Sequence, residues 1–162
     1  MMPLLLLAAL GPGPEVARPV KIMSYAEMFK ESDLVIIGVF ASERADGEPI
    51  DGDFEGLEKF IEGVTTKLRV LCVLKGEVVG GEATVRHHRM RQEDHRLLPG
   101  GGITNGPTFA VFHAGDDYML FLKKRSDGRY ACVTGPSDLA FAVKRLEPRS
   151  RAESNPRTDG RR

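Results

Sequence analysis

The chain has 162 residues, 23 basic and 23 acidic side chains, a formal net charge of zero and no tryptophan. That length suits one domain with a real core, and the charge balance leaves no whole-molecule field to draw in nucleic acid or an anionic membrane. Aromatic residues make up only 7%, which also argues against a base-stacking platform for single strands.

The first feature in chain order is an apolar run from Leu4 to Leu10, followed by Gly11, Pro12, Gly13 and Pro14. It is too short to span a bilayer, which takes about 20 apolar residues. The run resembles a secretory signal peptide over residues 1–20, so an extracytoplasmic location, periplasmic or secreted, is expected. No Lys or Arg precedes the run, which keeps a misplaced start codon or a cytoplasmic protein as the alternative. No cysteine follows the run to carry a lipid, so no stable membrane anchor is expected.

Residues 22–147 read as a single β-barrel domain. Ser24-Tyr25-Ala26-Glu27 matches a capping box and predicts a short helix from Tyr25 to about Glu31, with Met28 and Phe29 covering one end of the core. Leu34 to Ser42 is rich in Val and Ile and predicts a strand, with Gly38 marking a bulge or a close backbone approach. The Asp-, Glu- and Gly-loaded stretch from Arg44 to Glu58 predicts a mobile connection into a second strand, the two strands forming a hairpin with a long tip. In G-V-T-T-K-L-R-V-L-C-V-L-K-G, from Gly63 to Gly76, Leu68 and Val70 alternate with Lys67 and Arg69, after which Val70 to Leu74 is apolar on both faces. The pattern predicts a strand that starts half exposed and ends buried.

Ala83 to Met90 predicts a third strand, Glu93 to Pro107 a glycine-rich loop, Thr108 to Phe112 a short strand and Asp117 to Lys124 another. Asp127-Gly128 predicts a hairpin turn into Tyr130 to Thr134, and Leu139 to Leu146 an edge strand. Residues 148–162 lack apolar side chains to bury and read as a disordered basic tail. The fold class is therefore all-β with one short N-terminal helix, a small Greek-key barrel of OB-fold-like architecture.

Several constellations are candidates for chemistry. Asp51, Asp53, Glu55 and Glu62, with Gly56 between, match calcium-loop spacing, although Lys59 places a cation where an oxygen belongs and a strand follows in place of the exiting helix. A calcium- or metal-binding module using residues 51–62 is thus one reading, against a solvated acidic hairpin tip; no other cofactor is expected. Arg86, His88, Arg89, Arg91, His95 and Arg96 gather positive charge on and beyond the third strand, as an acidic-partner patch or an ordinary polar strand face. His87 and His88 are adjacent and must face opposite sides of a strand, so they do not readily share one metal. Cys72 and Cys132 either form a disulfide, if their strands are neighbours, or pack as buried free thiols. No G-x-S-x-G elbow, H-E-x-x-H helix or phosphate-cradling Gly-Lys-Ser/Thr occurs, which leaves an unrecognised hydrolase only as a site assembled from scattered residues.

The pattern S-Y-A-E-M-F-K-E-S-D-L-V-I-I-G-V-F, then T-T-K-L-R-V-L-C-V-L-K-G, then Y-M-L-F-L-K-K and G-R-Y-A-C-V-T-G, resembles exported bacterial proteins with OB-fold barrels of the netrin and metalloproteinase-inhibitor (TIMP-like) type. The resemblance runs from Ser24 to Leu146 and implies a barrel. Inhibitors of that type share an N-terminal metal-coordinating cysteine that has no counterpart here, so inhibition is not implied. The expected function is a non-enzymatic binding domain for a protein or extracellular polymer, through Arg86 to Arg96 and the Pro99 to Pro107 loop.

Overall fold

The computed structural model describes residues 22–52, 54, 58–91, 107–136 and 138–146. Helix α1 (Tyr25–Glu31) opens on the expected capping box: the Ser24 hydroxyl accepts from the Glu27 amide at 3.2 Å, and the Ser24 amide donates to the Glu27 carboxylate at 2.8 Å. These bonds satisfy two amides that a helix start leaves open. Met28 is buried in the core, as expected, whereas Phe29 stays outside beneath the Lys75 ammonium.

Five strands form the barrel: β1 (Leu34–Ala45), β2 (Ile61–Lys75), β3 (Glu82–Met90), β4 (Asp117–Lys124) and β5 (Tyr130–Cys132). β1 pairs antiparallel with β2, β2 with β3, and β4 with β5, while β3 meets β5 in parallel at Val85 and Tyr130. Pairing of β1 with β4, from Leu34 opposite Leu122 to Val39 opposite Asp117, closes the ring. This is a closed, OB-fold-like barrel, and closure removes most of the exposed strand edge that an open sheet would carry. Leu34, Ile36, Leu68, Val85, Leu120 and Leu122 fill it, all essentially inaccessible to solvent.

Gly38 fulfils its expected role. The β1–β2 register shifts between Ile37 and Gly38, and a Cβ there would lie 3.1 Å from the Arg69 carbonyl oxygen. The bulge lets the long strand bend around the barrel.

Three expectations are corrected. The apolar end of β2 is not buried: Leu71, Val73 and Leu74 are 48%, 40% and 46% exposed. β3 pairs with β2 only as far as Glu82 opposite Arg69, so beyond that point the named strand beside β2 is β1 alone. Burial falls instead on the first half, Ile61 to Leu68, whose residues from Val64 onward lie between β1 and β3. Thr108 to Phe112 is not a strand, and only Thr108 bridges, to Asp138. Leu139 to Leu146 divides into a helical turn, α2 (Leu139–Ala142), and a short strand, β6 (Val143–Arg145), which pairs with β4 beside β5. The turn buries Leu139 and Ala142 where a straight strand would have carried one of them outward.

Candidate functional site

β3 carries the chemistry because its alternating side chains reach two different environments. Val85 and His87 point toward the core, and Arg86 and His88 point away from it, yet all four are buried. The segment after β1 covers the outward pair. Arg86 donates through Nε to Asp46 at 2.8 Å, through Nη1 to Asp51 and through Nη2 to the Pro49 carbonyl oxygen at 2.7 Å. The β4–β5 hairpin completes the cluster. Arg125 Nη1 reaches Asp51 at 2.9 Å, and Arg129 Nη2 reaches both Glu48 and Asp127 at 2.7 Å.

The local sequence makes room for this arrangement. Gly63 lies opposite His88, and a Cβ on it would sit 2.6 Å from Asp46 Oδ1 and 3.0 Å from Arg86 Nη2. Phe54 pins the covering segment, its ring edge-on to His88 at 5.3 Å and stacked on Phe109 at 6.4 Å. Burial alone would raise the carboxyl pKa values of Asp46 and Asp51, but the guanidinium bonds from Arg86 and Arg125 outweigh it and hold both below the usual range. His88 is driven the other way: burial first, then the Arg86 charge, lowers it to about 4. It stays neutral and accepts the Asp51 amide through Nε2 at 3.3 Å. Its buried Nδ1 meets no hydrogen-bond partner among the described residues, and His88 lines a cavity of about 80 Å³ with residues of β3, β5 and Pro136, room enough for water.

The expected acidic loop and the expected basic strand are thus each other's partners. Asp51 is held by Arg86 and Arg125, and Glu62 by Arg89 at 2.8 Å; Asp53 and Glu55 lie outside the described residues, as do His95 and Arg96. Arg86 and His88, expected on a binding surface, are buried under the segment that follows β1. Arg91 donates to the Ile61 carbonyl oxygen. The Cys72–Cys132 disulfide is not formed. Both thiols are free, Cys72 is exposed on β2, Cys132 is buried on β5, and β3 stands between those strands. Burial pushes the Cys132 thiol up to about 12, so it is an inert apolar side chain.

On the inward face, β3 ends at a second polar group. Thr66 Oγ1 donates to Glu43 Oε2 at 3.0 Å and lies 2.8 Å from His87 Nε2, while Glu43 Oε2 lies 3.4 Å from that same nitrogen. Both oxygens address one ring nitrogen, and Nδ1 faces the His88 carbonyl oxygen at 3.3 Å. The His88 carbonyl oxygen stands where the orienting group of a nucleophile–base relay would, but Thr66 gives its proton to Glu43 and not to the ring. Arg89 bridges Glu43 and Glu62. Above this group opens a cavity of about 460 Å³, walled by Met90 and residues 109–112 with Glu43 and Arg89 at its polar side. Sequence reasoning named Arg89 but missed Glu43, Met90 and Phe109 to Phe112. The aromatic pair Phe109 and Phe112, in a segment that is not a strand, was the available signal. Neither the models of known protein families nor the curated proteins contain a match to this chain.

Proposed function

We propose that this chain is a non-enzymatic binding module whose barrel mouth takes up an apolar-stemmed side chain of a partner protein. The observation that carries it is the 460 Å³ cavity at the mouth, apolar and aromatic on most sides with two convergent charged groups. Its size and lining fit a preformed ligand pocket. The chain leaves β3 at Arg91 and is described again from Pro107, and Arg89 and Met90 are what the cavity shares with the stretch from Arg86 to Arg96. The complete burial of Thr66, whose hydroxyl donates to Glu43, and the inert Cys132 favour binding over nucleophilic catalysis. The pairing of Asp51 and Glu62 with arginines weighs against calcium. The resemblance to netrin and inhibitor barrels belongs to the same proposal, supported by the closed barrel and the preceding helix.

The test is titration with the neutral apolar fluorophore N-phenyl-1-naphthylamine against wild type, Ala110→Leu and Val111→Asp. Val111 is 66% exposed on the cavity wall, so its substitution leaves the core intact. Saturable enhancement that weakens at least fivefold in Val111→Asp supports the mouth as the site. Equal enhancement in all three proteins overturns it.

A further inference from the structure

Within that reading of the mouth, we infer that the side chain it takes is a cation on an apolar stem, a lysine or arginine of the partner. Three charged groups stand together at the end of β3: Glu43, Glu62 and Arg89. The guanidinium is already engaged by both carboxylates, Nε on Glu62 at 2.8 Å and Nη1 on Glu43. With the His87 ring neutral the group carries one uncompensated negative charge, counting two carboxylates against one guanidinium; a protonated His87, its Nε2 3.4 Å from Glu43 Oε2, would offset that charge. Glu43 is only 16% exposed in its side chain and stays ionised: burial would raise its pKa, but hydrogen bonds from His87 and Thr66 and the charges of His87 and Arg89 bring it below the usual range. A partner carboxylate entering the cavity would meet an arginine that is already doubly paired and two carboxylates that repel it. A cation entering there would meet Glu43 on one side.

The apolar walls complement this charge. Phe109 and Phe112 line the same cavity and present aromatic rings, whose faces attract cations while their bodies accept methylenes. Phe112 is fixed by three ring contacts, stacked on Phe40 at 6.4 Å and edge-on to His87 at 5.4 Å and Tyr118 at 5.0 Å. A pocket wall held this way is formed before the ligand arrives, so little ordering accompanies binding.

The experiment compares two peptides differing only in the charge, Ac-Ala-Lys-Ala-NH2 and Ac-Ala-norleucine-Ala-NH2, by amide shift titration of the full chain. The expected result is about tenfold tighter binding of the lysine peptide at low salt. Glu43→Gln removes that preference, and Arg86→Lys, on the opposite face, leaves it in place. Equal or tighter binding of the norleucine peptide at the mouth amides overturns the cation while leaving the apolar pocket standing. No shift at Met90 or residues 109–112 with either peptide overturns both.

Discussion

Arg86 and Arg89 stand three residues apart on one strand and each is held by carboxylates, yet they belong to different kinds of site. The Arg86 side chain is 1% exposed and shut beneath Asp46, Glu48 and Asp51, beside a cavity of about 80 Å³. The Arg89 side chain is 34% exposed at the edge of a cavity of about 460 Å³. An odd separation on a strand sends the two to opposite faces. The outward face is closed by the chain's own acidic segment, whereas the inward face opens where the barrel ends. The same residue types therefore make a structural lock in one place and a receptive mouth in the other, and burial decides which.

The largest effect expected is on Arg86. Arg86→Ala leaves Asp46, 5% exposed in its side chain, without its closest cation and should cost about 3–5 kcal/mol in urea unfolding, as breaking a buried pair does. Arg89→Ala, at a partly exposed pair, should cost about 1 kcal/mol or less. Equal costs would erase the contrast between the two faces.

Acid provides the next test. Between the ordinary histidine value of 6.5 and the His88 value of about 4, the unfolded chain binds a proton that the folded chain refuses. Stability is therefore complete above this window and falls as pH drops through it, by about 3 kcal/mol. Arg86 and His87 oppose protonation of His88, and Asp51 and Asp46 favour it. At still lower pH the depressed carboxylates Asp46, Asp51 and Glu43 add loss of the same sign. His88→Gln should flatten the slope between pH 6.5 and 4, measured by chemical denaturation; an unchanged slope would move the proton elsewhere.

A smaller loss, about 1–3 kcal/mol, is expected for Gly63→Ala, because the added Cβ must displace Asp46 or Arg86. Thermal unfolding reads it, and a neutral result would mean that the cluster yields freely. The smallest perturbation is chemical. Iodoacetamide should modify Cys72 in the native state and Cys132 only after unfolding, counted by intact mass.

Much of the barrel was legible in the sequence because its signals are local: the capping box at Ser24, the β-branched run of β1 with its Gly38 bulge, and Asp127-Gly128 at the hairpin. What failed depended on neighbours. Val70 to Leu74 looks like a core strand by composition, and its exposure follows only from where β3 begins. The acidic loop and the basic strand each looked like a site, since sequence shows charge types but not that Asp51 reaches Arg86 across 35 positions. The mouth was hidden for the same reason, its walls coming from β1, β3 and a segment without regular structure.

The most direct test of the two-face account is the amide shift map of the labelled chain titrated with Ac-Ala-Lys-Ala-NH2. The account predicts changes centred on Met90 and residues 109–112, with Arg86, Arg125 and Arg129 unmoved. Changes centred on residues 46–52 and 125–129 would contradict it, because the ionic face would then be the site and not the lock.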